Sequence, residues 1–289
     1  MTTLGSMVQE GAARLAAGPH AERARRDAET LLLHVLRKDR AWLMAHSSEE
    51  PAEAARFADL LARRLRGEPI QYITGEQEFY GLPFRVTPDV LIPRPETELL
   101  VETALTALDG IARPRVLDLG TGTGAIAIAI ASVRPDVQVW AVDRSGEALA
   151  VAARNAARLL DGTRPGGPVQ LVQSDWYDAL DRALRFDVIV SNPPYIASGD
   201  PHLSEDDLRF EPRGALTDEA DGLSAIRAII AGAPACFVER GGVLWLEHGY
   251  DQATTVRALL VEAGFAAVRS ECDLAGIERI SGGEWQAGV

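Results

Sequence analysis

The feature that most constrains the fold of this chain is the alternation of two kinds of sequence segment after Pro114. Short apolar runs are separated by Ala-rich or charged stretches with helical character, which predicts a parallel β-sheet covered by helices on both faces, an α/β fold. A short connection joins the last two runs, so we expect them to pair antiparallel at one side of the sheet. The runs are RVLDL, QVWAV, VQLVQ, FDVIV and GVLWLE, followed by FAAVRSECD and IERIS.

Two segments of different character precede this region. Residues 8–67 are rich in Ala, Leu, Arg and Glu, with apolar positions at helical spacing, which predicts a small all-α bundle. In the stretch EFYGLPFRVTPDVLIPRPE, aromatic and β-branched residues are interrupted by Gly and Pro, which predicts a β-hairpin linker. We therefore expect a helical domain over 1–72, a linker over 73–95 and an α/β domain over 96–289.

The charge of the chain bears on its partners. A net charge of −13 disfavours long-range attraction to nucleic acid, because proteins that bind nucleic acid usually present a basic field. Basic residues do cluster near the N-terminus, but we expect them to form a solvated helix face, the usual arrangement of such charge. They are Arg23, Arg25, Arg26, Arg37, Lys38, Arg40, Arg56, Arg63, Arg64 and Arg66.

Several other classes of protein are also disfavoured. The opening MTTLGSMVQEGAARL lacks the basic start and apolar core of a secretory signal, and no apolar run approaches the roughly 20 residues of a membrane span. We therefore expect a cytoplasmic protein that does not associate with membranes. Cys236 and Cys272 lie far apart without the spacing of zinc ligands, so no metal site is expected.

A glycine-rich turn follows the first apolar run in VLDLGTGTGAIAIAI. Glycines let a backbone pass close to a ligand, and the start of the next helix offers unpaired N–H groups. The pattern alone leaves three alternatives open: a methyl-donor site, a dinucleotide site of the G-x-G-x-x-G/A type, or a tight turn without a ligand. The candidate cofactor-binding residues of the turn are Gly120, Thr121, Gly122, Thr123 and Gly124.

Acidic residues near the ends of the first three runs favour a methyl donor. Asp118 can serve the amino group of a methionine moiety, directly or through water, whereas it would repel a pyrophosphate. Asp143 lies where an acidic side chain meets ribose hydroxyls, although it or Ser145 can alternatively cap the next helix. Asp175 and Trp176 can bracket an adenine, and the alternative for Trp176 is ordinary core packing.

The fourth run leads directly into Asn192-Pro193-Pro194-Tyr195, at the end of the sheet where α/β folds bind ligands. The prolines fix the backbone and remove two N–H donors, leaving carbonyl acceptors. A planar NH₂ group can donate one hydrogen to the Asn192 side chain and the other to the Pro193 carbonyl, while Tyr195 packs against its face. The pattern predicts transfer of a methyl group to an amide or amine nitrogen; the alternative is a purely structural turn.

The longer motifs around these residues resemble those of the release factor glutamine methyltransferase family, whose members modify the glutamine of the Gly-Gly-Gln motif in peptide chain release factors. The resemblance spans nearly the whole chain. It implies a Rossmann-like class I methyltransferase domain with a seven-stranded, mostly parallel sheet and an antiparallel last strand, preceded by the helical domain and the hairpin linker. It is carried by DLGTGTGAIAIAI, SNPPYI, QYITGEQEFYGLPFRV, LIPRPETELLV, LRFEPRGAL and WLEHGYDQ.

The resemblance also implies the ligands and the residues that bind them. S-adenosyl-L-methionine would be the methyl donor and S-adenosyl-L-homocysteine the product, and the partners would be class 1 release factors, with no direct contact to nucleic acid. Asn192, Pro193 and Tyr195 would be catalytic, and the glutamine would bind at 192–195. The family's cofactor positions correspond to Gly120 through Gly124, Asp143, Trp176 and Asn192.

Two parts of the resemblance are less defined. The PRPETE stretch is expected near the cofactor, without separate roles for Arg94, Glu96 and Thr97. The C-terminal sequence AGIERISGGEWQAGV departs from the Leu-Gly-Arg-like end of the family, so the C-terminal edge of the domain is not defined by it. We expect a monomer.

Three alternative functions are each disfavoured by a different feature of the sequence. A nucleic-acid amine methyltransferase would use the same Asn-Pro-Pro-Tyr chemistry on a flipped base, but the acidity of the chain argues against it. An NAD-dependent oxidoreductase is permitted by the glycine pattern but lacks a catalytic His or a Lys-Tyr pair. A non-catalytic nucleotide-binding module would not require both Asp143 and Asn192.

Overall fold

The computed structural model of the chain describes residues 3–50, 53–204 and 207–286. In these ranges no helix combines the length and the apolar character needed to cross a lipid bilayer.

The first compact unit comprises Met1–Glu76 together with Ser204–Phe210, a segment from much later in the sequence. Its helices enclose an apolar core in which Ala28 and Leu31 are fully buried. Thr3 caps the first helix, since its side chain accepts a hydrogen bond from the backbone of the first turn. The described helices of this unit are α1 (Leu4–Leu15), α2 (Ala24–Leu36), α3 (Arg40–Ala45), α4 (Ala54–Leu65) and α5 (Ile70–Thr74).

One arginine of the N-terminal basic cluster is buried, so the prediction of a solvated helix face is wrong for Arg64. Its side chain is only 2% exposed. Arg64 Nε donates to Asp27 Oδ2 at 2.7 Å, and Nη1 donates to Asp207 Oδ1 at 3.0 Å. The guanidinium therefore joins α4 to α2 and to the Ser204–Phe210 segment, because a buried charge requires partners of opposite sign.

The hairpin consists of β1 (Glu76–Phe79) and β2 (Leu82–Arg85). Tyr80 and Gly81 between them have φ of +52° and +73°, as in a two-residue turn of type I′. The apolar side chain at the end of β1 packs into the core of the second unit. The predicted hairpin is therefore confirmed.

The second compact unit comprises Gln77–Leu203 together with Glu211–Val289, and its described strands form one seven-stranded sheet. These strands are β3 (Arg115–Leu119), β4 (Gln138–Asp143), β5 (Gln170–Gln173), β6 (Val188–Ser191), β7 (Gly242–Glu247), β8 (Ala266–Cys272) and β9 (Glu278–Trp285). Their order is β5-β4-β3-β6-β7-β9-β8. Strands β3 to β7 pair in parallel, and β9 pairs antiparallel with both β7 and β8. The predicted α/β sheet and its antiparallel last strands are confirmed.

Helices cover both faces of this sheet. Alternate residues of β3 point to opposite sides: Val116 packs in one apolar cluster, whereas Leu117 and Leu119 pack in another. The described helices of the unit are α6 (Glu98–Ala107), α7 (Ala125–Val133), α8 (Gly146–Leu159), α9 (Arg213–Leu216), α10 (Ser224–Gly232) and α11 (Ala253–Glu262). Helix α7 is buried along residues 125–131, as expected for a helix that is apolar all round.

The strand order reverses direction between β3 and β6, and this reversal defines the position of the site. The chain proceeds from β3 to β4 and β5 on one side, then returns to β6 and β7 on the other. Ser191 is in register with both Leu119 and Leu246. The glycine turn and the Asn-Pro-Pro-Tyr turn, which follow β3 and β6, therefore begin side by side at the carboxyl end of the sheet, where such folds bind ligands.

We predict that Arg64→Met lowers the free energy of unfolding of the first unit by about 3–5 kcal/mol, because it leaves Asp27 buried without its counter-charge. The measurement is urea unfolding followed by far-UV circular dichroism, with hydrogen exchange of α2 to localise the effect. Arg63→Met is the matched control, since Arg63 is 36% exposed and pairs with Glu68 at the surface; its effect should stay below about 1 kcal/mol. Equal losses in the two variants would contradict the argument.

Candidate active site

The turn after β3 is held in a backbone conformation that favours glycine. The φ angles of Gly120, Gly122 and Gly124 are +72°, +54° and +80°. A Cβ atom added to Gly124 would lie 2.8 Å from Ile128 Cδ1 and 3.3 Å from Ala152 Cβ. Gly124 is therefore required for close packing of the helix. A Cβ atom on Gly122 would meet open space, and one on Gly120 would make ordinary contacts with the turns after β5 and β6.

A cavity of about 220 Å³ lies beside this turn. Of the predicted site residues, its lining includes Gly120, Gly122, Asp143, Asp175, Trp176, Asn192 and Pro194. The remaining lining residues are Asp89, Val90, Leu91, Val142, Arg144, Ser145, Ala148, Ser174, Pro212, Gly214 and Ala215. The predicted residues that lie behind the lining or beside it are Asp118, Thr121, Thr123, Gly124, Pro193 and Tyr195.

Asp143 ends β4 and is fixed by two backbone donors. Its Oδ2 accepts from Gly122 N and its Oδ1 from Ser145 N, both at 2.9 Å. Ser145, and not Asp143, caps α8, because its hydroxyl oxygen accepts from Ala148 N at 3.1 Å. The Asp143 carboxylate therefore bridges the glycine turn and the start of α8 and remains at the cavity wall.

Asp118 is fully buried beneath the turn. Its Oδ2 accepts from Thr121 Oγ1 at 2.6 Å and from Ala127 N at 3.3 Å, which holds the turn against the first residues of α7. Its Oδ1 has no hydrogen-bond partner within the described part of the chain. Burial raises the pKa of Asp118 to about 7, against the opposing effect of those two hydrogen bonds. Asp118 thus stabilises the turn, and one of its oxygens remains available to a donor.

Trp176 forms part of the cavity wall in a strained backbone conformation. Its φ is +47°, a region that residues with a Cβ rarely adopt. The indole lies over the first glycine, since a Cβ on Gly120 would be 3.7 Å from Trp176 Cζ3. The ring also packs against the apolar cluster of α10 and α11, so the two alternatives of cavity wall and core packing both apply. Asp175 beside it is exposed at the cavity.

Asn192 directly follows the fully buried strand β6, and its amide group has a defined orientation. Its Nδ2 donates to Thr97 Oγ1 at 3.2 Å, which leaves Oδ1 as the free acceptor of the amide. The next residue, Pro193, is buried, and Pro194 lies at the cavity. The Tyr195 carbonyl accepts from Gln252 Nε2 at 3.0 Å, which fixes the end of the turn.

A buried glutamate connects the two sides of this turn. Glu247 ends β7 and is 2% exposed. Its Oε2 accepts from Thr97 Oγ1 at 2.7 Å, and its Oε1 accepts from the Tyr195 hydroxyl at 3.4 Å. Burial raises the pKa of Glu247 to about 7 and, together with the glutamate, raises the pKa of Tyr195 well above its usual range. Asn192, Thr97, Glu247 and Tyr195 therefore form one hydrogen-bonded chain.

Glu247 and Thr97 have no role that the sequence alone indicates, although both lie in motifs that carry the family resemblance. A signal for Glu247 exists: a carboxylate stands at the end of the otherwise apolar run GVLWLE, as Asp118 and Asp143 do near the ends of their runs. Thr97 has no comparable signal, because its position beside β7 depends on the tertiary packing of the segment before α6. The same stretch contains Arg94, which forms an ion pair with the buried Glu211.

A third residue that the sequence did not indicate joins the hairpin to the glycine turn. Asn155 on α8 is fully buried; its Nδ2 donates to the carbonyls of Thr123 and Arg85, both at 3.0 Å. Its Oδ1 accepts from Arg85 N at 2.8 Å. Every polar atom of this buried side chain is thus paired, as burial demands.

Among the described residues, no cluster of His, Cys, Asp and Glu could hold a metal ion.

Comparisons with known proteins match both parts of the chain. Residues 6–75 match the family model described as the PrmC N-terminal domain, and residues 95–205 match the methyltransferase small domain. The solved structure of a methyltransferase from Pyrococcus furiosus covers 80% of this chain and 100% of its own, with a TM-score of 0.50. Its sequence identity of 19% limits that likeness to the fold.

Two relatives have much higher sequence identity. The release factor glutamine methyltransferase of Burkholderia pseudomallei is 65% identical over 259 residues, which are 89% of this chain and 90% of that protein. The release factor glutamine methyltransferase of Pseudomonas aeruginosa is 50% identical over 287 residues, 99% of each chain. Because these identities extend over about nine-tenths or more of both compared sequences, the chain belongs to the release factor glutamine methyltransferase family.

Proposed function

We propose that this protein transfers a methyl group from S-adenosyl-L-methionine to the side-chain amide nitrogen, N5, of the glutamine in the Gly-Gly-Gln motif of class 1 release factors. The observation that carries the proposal is the orientation of Asn192. Its NH₂ group is engaged by Thr97, so its carbonyl oxygen is the free acceptor next to the glycine turn. Family membership at 50–65% identity supports the same reaction and the same substrate.

The cavity fits the proposed cofactor. Apolar side chains such as Val90 and Leu91, with the Trp176 ring, suit an adenine, and the Asp143 carboxylate suits ribose hydroxyls. The unpaired Oδ1 of Asp118 is buried behind the cavity lining and would reach the methionine amino group through a water molecule. When bound, S-adenosyl-L-methionine supplies an electrophilic methyl group and leaves as S-adenosyl-L-homocysteine.

The Asn-Pro-Pro-Tyr turn would hold the substrate amide. One hydrogen of the glutamine NH₂ group donates to Asn192 Oδ1 and the other to the Pro193 carbonyl, while the Tyr195 ring packs against the plane of the amide. An amide nitrogen is a weak nucleophile because its lone pair is delocalised. Two acceptors in the plane draw electron density toward nitrogen and leave the direction out of the plane open to the methyl group. As the N–C bond forms and the S–C bond breaks, the nitrogen loses one of its two hydrogens as a proton, which passes to solvent.

Positioning and electrostatics would supply most of the rate. A nitrogen held in a near-attack geometry gains the advantage of an intramolecular reaction. Asn192, the buried Pro193 and the rigid Pro194 would help to exclude water from the reacting atoms. Oriented dipoles in a site that excludes water are more effective than the same groups in solution, and they need no reorganisation during the reaction.

The first unit would select the protein partner, since a pocket that contacts one side chain cannot by itself distinguish a release factor from other proteins. In the full-length protein, a release factor should slow hydrogen exchange in helices of this unit as well as in the Asn-Pro-Pro-Tyr turn. Slowing confined to the turn would contradict a docking role for the helical unit.

We predict that release factors accept label from labelled S-adenosyl-L-methionine, and that a Gln-to-Ala change in their Gly-Gly-Gln motif abolishes this labelling. Total RNA and DNA should stay unlabelled. Label on nucleic acid and none on the release factor would instead assign the protein to the nucleic-acid amine methyltransferases.

In the same assay, Asn192→Ala should lower kcat by about 10²–10³-fold, the range for loss of one oriented dipole that acts in the transition state. Circular dichroism should remain that of the wild type. Ser198→Ala is the matched control, because Ser198 is exposed a few residues further along the same loop; its kcat should not change. Full activity of the Asn192 variant would refute the proposed mechanism.

Asp143→Asn should weaken cofactor binding by about 1–3 kcal/mol, the magnitude of a lost hydrogen bond to a charged group. The measurement is isothermal titration calorimetry with S-adenosyl-L-homocysteine. Asp161→Asn serves as the control, since Asp161 is exposed and bonds only within its own turn. An Asp143 variant with wild-type affinity would contradict the assignment of this carboxylate.

A further inference from the structure

A side-chain amide has two orientations of nearly equal shape, and only one of them would serve the Asn192 site. With Oδ1 directed at the substrate, Asn192 accepts a hydrogen from an NH₂ group. With Nδ2 directed there, it would present a donor to a donor. Some interaction must therefore distinguish the two orientations before the substrate binds.

We infer that Thr97 and Glu247 are positioning residues that fix the orientation of the Asn192 amide. Thr97 Oγ1 donates to Glu247 Oε2 at 2.7 Å, and the same oxygen accepts from Asn192 Nδ2 at 3.2 Å. The inference rests on the proposed function for its catalytic consequence, although the orientation itself exists without substrate.

The direction of the hydrogen bonds follows from the chemistry of the three groups. A threonine hydroxyl has one hydrogen, and when Glu247 is ionised, above about pH 7, its carboxylate accepts that hydrogen. The oxygen of Thr97 can then only accept from Asn192. If the amide of Asn192 rotated by 180°, its Oδ1 would face the lone pairs of Thr97, and two acceptors would oppose each other in a buried place.

Glu247 has the position that this role requires. It ends β7, whose Leu246 is in register with Ser191, the residue before Asn192, so the glutamate lies beside the Asn-Pro-Pro-Tyr turn. Its second oxygen accepts from the Tyr195 hydroxyl, and therefore both oxygens of the buried carboxylate receive a donor. The carboxylate is thus a fixed acceptor at the start of a chain that ends at Asn192 Oδ1.

Burial is the strongest influence on the ionisation of Glu247 and raises the pKa of its carboxyl group to about 7. The hydrogen bonds from Thr97 and Tyr195 and the charge of Arg279 favour the ionised form, whereas the charge of Glu96 opposes it. A buried carboxylate adds little to the free energy of unfolding, because an apolar side chain of similar size would avoid the desolvation of the charge. Its presence at the end of β7 is explained by the hydrogen-bond direction that it imposes.

The test uses the full-length protein and compares Thr97→Val, which removes the hydroxyl at constant shape, with Thr97→Ser, which retains it. The first readout needs no substrate: hydrogen exchange of the Asn192 side-chain amide, observed by ¹⁵N NMR and assigned by its absence in Asn192→Ala. We expect exchange at least about tenfold faster in the valine variant and close to the wild-type rate in the serine variant, because only the former loses a hydrogen bond to the amide. Equal rates in all three proteins would refute the inference whatever the enzyme methylates.

The second readout is kinetic. With release factor as substrate, Thr97→Val should lower kcat about 10–100-fold while the KM for the cofactor stays within about twofold, as expected for a lost oriented hydrogen bond. Glu247→Met should lower kcat similarly, and the double variant should be no worse than either single variant, since both act through Asn192. Additive losses, or no recovery in Thr97→Ser, would overturn the inference. Failure of the wild-type protein to methylate release factors would instead contradict the proposed function and leave the NMR result valid.

Discussion

The register of the three central parallel strands is the constraint on which the rest of the site depends. Ser191 of β6 lies opposite Leu119 of β3 and Leu246 of β7, and its hydroxyl donates to the Leu119 carbonyl at 2.6 Å. The next residue of each strand is therefore brought to the same edge: a glycine, an asparagine and a glutamate. A shift of one residue in any strand would turn these side chains to the opposite face of the sheet.

The sequence was sufficient to predict what depends on local pattern. Apolar runs alternating with helical stretches predicted the sheet, and the glycine and proline turns predicted which strand ends bear the ligand residues. It did not reveal Glu247 as part of the site, because the partners of that residue come from Thr97 and Tyr195, 150 and 52 positions away. Arg64 was assigned to the surface for the same reason: its buried partners become visible only when the helices pack.

Local pattern also could not determine where a predicted side chain points. Asp118 and Asp143 both stand near the ends of strands, and both were candidate cofactor ligands. The fold buries Asp118 completely beneath the turn, whereas Asp143 remains at the cavity wall. Two acidic residues with the same sequence signal thus have different surroundings, which are set by the close packing of α7 against β3.

The site is maintained at some expense of stability. Burial raises the pKa values of Asp118 and Glu247 to about 7, from ordinary values of 3.8 and 4.5. The folded protein therefore binds these protons more tightly than the unfolded chain. The stability they contribute is fully present below about pH 4 and is lost as the pH rises from there to about 7.

Discontinuity along the sequence has a different consequence. Because Ser204–Phe210 belongs to the first unit, the chain passes between the two units three times, at 76/77, 203/204 and 210/211. Exchange or removal of residues 1–76 alone would separate Arg64 from its partner Asp207, so the helical unit of this protein is complete only when both pieces of sequence are kept together.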